Sequence, residues 1–174
     1  MLSLLFLVLI ALQTTAQTLT EEERKLYDMI MDYRKQKGLP IIPVSPSLTI
    51  VAQTHVKDLV ENAPNNGNCN MHSWSAKGKW TPVCYTSDHK NASGMWSKPR
   101  ELTNYKGEGY EISHWTSGQA NAAQALRGWQ GSSGHNEVMV NEGIWKSMNW
   151  QAIGIGIYRG FAVAWFGVAR DEAK

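Results

Sequence analysis

The stretch Gly128–Asn141, GWQGSSGHNEVMVN, ends one helix, turns through Ser and Gly, and starts a second, shorter helix. Trp129 supplies a large apolar anchor for the first helix. The Ser132-Ser133-Gly134 turn can cap the next helix and lets the backbone bend tightly. His135 then falls in the first turn of that helix, where the backbone fixes its direction. A lone histidine is more often a satisfied core or surface residue than a functional one. The segments on either side of this stretch change that reading.

Downstream, Ile144, Trp145 and Met148 lead into Ala152 to Val168. Ile153, Ile155 and Ile157 alternate, then Phe161, Val163 and Trp165 do the same. Arg159-Gly160 between the two runs reads as a hairpin turn, so an antiparallel pair at the centre of a sheet is expected. Upstream, Ser117 is the expected cap of a helix from Gly118 to Trp129, with Ala122, Ala125, Leu126 and Trp129 inward. Before it, GEGYEISHW at 107–115 reads as a Gly-flanked strand. Alternation puts Tyr110, Ile112 and His114 on one face, and Glu111, Ser113 and Trp115 on the other. Glu111 among bulky aromatics is costly to bury without a partner.

The amino-terminal half is helical. Thr20-Glu21-Glu22-Glu23 is a capping box, and Leu26, Met29, Ile30 and Tyr33 share one face of the helix it starts. Gly38 and Pro40 stop that helix, and a short extended segment follows at Ile41 to Val44. Ser45-Pro46 opens a second helix with Ser as cap and Pro at the first helical position. Leu48, Val51, Ala52, His55 and Leu59 share its inner face, so His55 reads as a hydrogen-bonded core histidine. Pro64 and Gly67 end this helix in a loop. From Cys69 to Lys106 periodicity is weak, and Trp, Gly, Pro and Ser are frequent. This reads as a long, stapled surface loop with short helical pieces, a type of segment that is usually functional.

The length, 174 residues, suits one domain with a real core. A formal net charge of +2 gives no nucleic-acid footprint. Eight tryptophans point to an aromatic-rich core. Residues 2–12, LSLLFLVLIAL, form an apolar run too short to cross a bilayer, with small residues after it. Residues 1–16 are therefore expected to be a secretory signal peptide cleaved after Ala16, leaving 17–174 as a single secreted, extracellular domain with no transmembrane segment. Export permits a disulfide, and the two cysteines, Cys69 and Cys84, allow one intramolecular pairing. Asn91-Ala92-Ser93 is the one N-glycosylation sequon.

Three residues in Gly- or Ser-flanked contexts could carry chemistry: His72, Glu111 and His135. Two imidazoles and a carboxylate can hold a catalytic zinc ion and leave one position for water. They can also form a metal-free proton-transfer cluster. No HExxH motif, phosphate loop or nucleophile elbow is present.

In order, AQTHVKDL, MHSW, GYEISHW, GWQGSSGHNEVMVN and GIGIYRGFAVAWFG resemble the successive motifs of the CAP superfamily (cysteine-rich secretory proteins, antigen 5 and pathogenesis-related 1), in its bacterial form. The resemblance implies an α+β fold, a three-layer α-β-α sandwich with a central antiparallel sheet and a His/Glu cleft. His72 and His135 match the family histidines and Glu111 the first family glutamate, with Glu108 as the alternative. The place of the second glutamate falls close to Ser132, so the set is incomplete and divalent binding, zinc included, is expected to be weak. His55 matches a helix position outside the set and is read as structural. The 76–106 segment departs from compact members and is expected to shape a ligand site of its own. The resemblance implies no single agreed activity; the lack of a nucleophile–base pair and the aromatic-rich loop favour an extracellular binding or interaction module over an enzyme. Its alternatives are a carrier of a small apolar ligand, such as a sterol or fatty acid gripped by the Trp-rich loop, and a metal-dependent hydrolase.

Overall fold

The fold is described from a computed structural model that covers residues 18–173. The expected signal peptide at 1–16 lies outside the described residues. The first two helices form as their caps predict. Helix α1, Glu21–Gln36, starts at a complete capping box between Thr20 and Glu23. Glu23 is buried, and its two oxygens also accept from Ile157 N and the Gln53 side chain, so the cap ties α1 to the rest of the molecule. Helix α2, Pro46–Asn62, starts with the Ser45 hydroxyl accepting from Leu48 N.

Two short helices follow, α3 (Ala92–Trp96) and α4 (Lys98–Leu102), then strand β1 (Gly109–Trp115). Helix α5 spans Ala122–Gln130 and α6 spans Ser133–Val140. Strands β2 (Ala152–Tyr158) and β3 (Phe161–Gly167) close the chain. The sheet is antiparallel throughout, in the order β1-β3-β2. The expected hairpin is present, with Arg159 at φ 49 in its turn. It is not central as a pair, because only β3 lies inside the sheet and β2 is an edge strand. The edge of β2 is met by a single parallel bridge from Val44 to Ile153.

The sheet has two buried faces. One carries Ile112, Ile153, Ile155, Ala164 and Phe166, and packs with residues of α1, α5 and α6. The other carries Val163 and Trp165, and packs with residues of α2, α3 and the loop between them. The α+β, α-β-α sandwich expected from the resemblance is therefore observed. On the second face, Gly154 and Gly156 lie beneath α2. A Cβ at Gly154 would overlap backbone atoms of Leu48 and Thr49, and one at Gly156 would overlap Ala52. No other residue type permits so close an approach of helix to strand.

Two further sequence expectations need correction. Helix α5 begins at Ala122, not Gly118, because the Asn121 side chain accepts from Gln124 N and caps the helix there. The 76–106 segment is not a surface loop alone. Tyr85, Ala92, Met95 and Tyr105 are buried, and with Trp74 just before them they supply core to the second face. The Cys69–Cys84 disulfide is formed and closes the base of this segment, and the second face of the sheet offers these side chains an apolar surface to cover.

A Gly154→Val variant is expected to lose about 3 kcal/mol of stability in urea unfolding, because a branched side chain meets helix backbone that cannot move aside. Gly118→Ala, where an added methyl meets nothing, should stay within roughly 0.5 kcal/mol of the parent.

Candidate functional site

Glu111 sits on β1 opposite Trp165, and Trp165 in turn pairs with Gly154. That register places the carboxylate on the same face as the glycine seam, beneath α2. Its side chain is fully buried. One oxygen, Oε2, lies 2.8 Å from His55 Nδ1, and the other, Oε1, lies 3.6 Å from His72 Nδ1. The first distance is that of a charge-assisted hydrogen bond, though the carboxylate lies off the ring's N–H axis. The second is an electrostatic approach, too long for a hydrogen bond. Burial pushes the Glu111 carboxyl up, but His55 and then His72 outweigh it and hold the group below the usual glutamate value.

His55 is buried, as its place on the inner face of α2 predicts. Its Nε2 donates to the Ser73 carbonyl at 2.9 Å. Its ring stacks on Trp74 with centroids 4.2 Å apart and planes 6° from parallel, and the edge of Trp165 closes another side. The helix histidine is thus a core residue and at the same time the nearest partner of Glu111. By spacing along the chain it reads as structural alone. The available signal was the cost of burying Glu111, which required a partner on the facing helix.

His72 follows the disulfide-bonded Cys69 closely and keeps 17% of its side chain exposed, with Nδ1 turned inward. Its backbone N–H donates to Asn70 Oδ1, and its ring meets the edge of Tyr85. His135 lies in the first turn of α6, as expected, although the Ser132 side chain makes no capping bond. Burial lowers the His135 imidazole below the ordinary value, His72 lowers it further, Glu111 opposes this, and His114 adds to it. The four groups therefore share one electrostatic environment. Glu108, the alternative carboxylate, is elsewhere: it accepts from the Tyr110 hydroxyl and faces Arg100 at 3.6 Å.

A cleft of about 540 Å³ opens beside this cluster, lined by Met71, His114, Trp115, Trp129, Ser132 and His135, among others. His114 belongs to this wall and was given no role from the sequence. Strand alternation placed it on the side of Tyr110, facing α5, where it packs against the bare Cα of Gly128. Burial lowers its imidazole too. No residue of 76–106 lines this cleft. Asn91 is exposed, and its amide donates to the Cys84 carbonyl.

The α1 layer holds α6 at two points. The Tyr33 hydroxyl donates to Asn136 Oδ1, next to His135. The buried Arg34 donates to Met139 O and to Asn141 Oδ1 at the far end of the helix. Burial pulls the Arg34 guanidinium down to about 10.

The donor set does not suit a metal as it is arranged. Among the described residues, no three His, Cys, Asp or Glu side chains converge so as to hold an ion. Both Glu111 oxygens face imidazole nitrogens of this chain.

The family model for the cysteine-rich secretory protein family matches residues 27–160. The chain belongs to the CAP family. Among solved structures, this CAP domain is similar to an extracellular protein containing an SCP domain from Bacillus anthracis, at 19% identity and a TM-score of 0.58, covering 85% of this chain and 40% of that one. It is similar to an outer surface protein from Borrelia burgdorferi, at 17% identity and a TM-score of 0.57, covering 86% and 94%. A cysteine-rich secretory protein from Staphylococcus aureus matches at 16% identity and a TM-score of 0.54, covering 85% and 39%. This CAP domain thus spans about two fifths of the Bacillus and Staphylococcus chains. At these identities the likeness is one of fold. No curated protein matches its sequence.

The lowered His114 and His135 fix the sign of the pH dependence. Both groups take up protons less readily folded than unfolded. Their contribution is intact above the unfolded imidazole value, about 6.5. It is lost as pH falls from there through the folded values, because the unfolded chain then binds more protons. Urea midpoints are expected to fall between about pH 7.5 and pH 5.5. A His135→Gln variant should show a shallower fall.

Proposed function

We propose that the protein is a secreted binding module whose recognition surface is the cleft between the His72 segment and α6. The observation that carries this reading is the make-up of that cleft. Met71, Trp129 and the half-exposed Trp115 give it apolar walls, while two imidazoles, His114 and His135, and the Ser132 hydroxyl supply polar points. Apolar walls with a few convergent polar groups are what a small-ligand site needs. The ligand class this favours has an apolar body and one or two polar groups, consistent with the small apolar ligand that the resemblance implies. No carboxylate lines the cleft, so a cationic ligand finds no counter-charge there.

A hydrolytic reading draws less support. Among the described residues, no serine hydroxyl bonds to an imidazole ring nitrogen, and both cysteines are joined in the disulfide. Zinc through His72, Glu111 and His135 requires Glu111 to leave His55, so any zinc held there is bound weakly and at the expense of the buried pair. Family membership, and relatives described as extracellular or outer-surface proteins, support export. Among the described residues, no helix is long and apolar enough to cross a membrane.

Native mass spectrometry of protein collected from its own secretion medium tests the reading. An added mass that disappears in a Met71→Glu variant of unchanged melting temperature is expected. A ligand that survives that substitution, or a protein that carries none and binds none from an acyl and sterol panel, refutes the cleft as the recognition site. In isothermal titration, zinc should bind weakly and lose all measurable heat in a His72→Ala, His135→Ala double variant.

A further inference from the structure

The cleft takes its walls from both helical layers. Trp129 and His135 come from α5 and α6, while Asn65 and Met71 come from the segment after α2. A recess on one face of a sheet has walls from one layer only, so this one lies at the rim of the sheet. Between its walls run Ser113, His114 and Trp115, three consecutive residues of β1. β1 is an edge strand, with β3 on one side and, among the described residues, no strand on the other.

The register tells which main-chain groups face that open edge. Thr116 N donates to the Gly160 carbonyl at 2.9 Å, one step beyond the Trp115–Phe161 pair. Ladder bonds fall on alternate residues of an antiparallel pair. Ile112 and His114 therefore bond inward to β3, and Ser113 and Trp115 turn their N–H and C=O outward. Among the described residues, no other backbone group bonds to those outward groups. Two residues of strand set them about 6.7 Å apart, the repeat of another extended chain.

We propose that the rim of the cleft is a strand-addition site: an extended peptide segment of a partner protein lies along β1 and bonds to the main chain of Ser113 and Trp115. Unpaired strand edges pair readily with an added chain. Main-chain bonds give such a complex its hold, and pockets for alternate side chains give it selectivity. Successive side chains of the guest point to opposite walls, one toward Trp129 and the next toward Met71. The shape selects a single chain over a second folded copy. Ser113 is only 3% exposed, and the walls that recess it also flank β1 in any copy. Charge adds a preference. The cleft continues across Trp115 and Asn65 into a recess of about 430 Å³ that includes Val60, Phe161 and Arg159. No carboxylate lines either part, and Arg159 makes no ion pair among the described residues. The fitting guest is an apolar segment with an acidic residue at the Arg159 end.

This inference goes beyond the small-ligand reading and is tested with separate reagents. Phage carrying random nonapeptides are selected on the mature protein, and the tightest peptide is resynthesised with blocked ends. Hydrogen exchange followed by NMR should show the Ser113 and Trp115 amides slowed about tenfold by the peptide, with the His114 amide protected in both states. Methylating the peptide's amide nitrogens one at a time should weaken binding about tenfold at alternate positions and leave the positions between nearly unchanged. Trp115→Pro, which removes an outward N–H, should bind more weakly than Trp115→Ala, which keeps it. If Trp115→Pro does not fold, the methylation series decides. Failure to select any binding peptide, a series without alternation, or a bound peptide that leaves both amides exchanging freely overturns the inference. An acyl or sterol ligand found in the cleft without any peptide binding overturns strand addition alone and leaves the cleft as a recognition site. Slow exchange of both amides in the free protein, together with a dimer in sedimentation, assigns the edge to a second copy and also overturns it.

Discussion

The fold depends on one close approach. Helix α2 lies on β2 with its backbone against Gly154 and Gly156, and no side chain stands between them. That contact sets the height of α2 above the sheet, and the height decides what the inner face of α2 can touch. Leu48, Val51, Ala52 and Val56 fill the space beside the seam. His55 is brought down far enough for its ring to reach a carboxylate on β1 across the central strand. A spacer of even one methyl group would lift the helix and separate the pair, since interiors packed at crystal density have no slack to absorb it.

A buried carboxylate is costly unless it is paired. Glu111 is paired on both sides, and its neighbours are pinned by groups from different parts of the chain. Ser73 and Trp74 come from the segment anchored by the disulfide, whereas Trp165 comes from the central strand. The polar cluster is therefore also a crossing point of α2, the stapled loop and the sheet. Its specificity comes from geometry that all three must satisfy together.

Much of this was legible in the amino-acid order. The Thr20–Glu23 box, the Ser45-Pro46 start, the Ile-x-Ile-x-Ile run with its hairpin and the single possible disulfide each follow from local chemistry and each appear in the fold. What was not legible depended on tertiary context. Asn121 competes with Ser117 for the start of α5, and both are good caps, so only the packing of Ala122 and Ala125 selects between them. The loop after Cys69 looked solvent-facing because it lacks a period. Burial of its aromatics comes from the unfilled second face of the sheet, not from any pattern of their own. His55 read correctly as a core residue. Its link to Glu111 needed the register of β1 against β3 and the seam under α2, neither of which leaves a mark on spacing along the chain. His114 was hidden for a similar reason, because the space it occupies is made by the missing side chain of Gly128.

The two anchor points of α6 on α1 have a mechanical meaning. Tyr33 and Arg34 make the His135 wall of the cleft travel with the first helix, while Met71, on the opposite side, travels with the disulfide-stapled loop and α2. The two walls of the cleft therefore belong to opposite layers of the sandwich, one held by α1 and the other by the disulfide-closed segment, so its width is set by the thickness of the sheet between them.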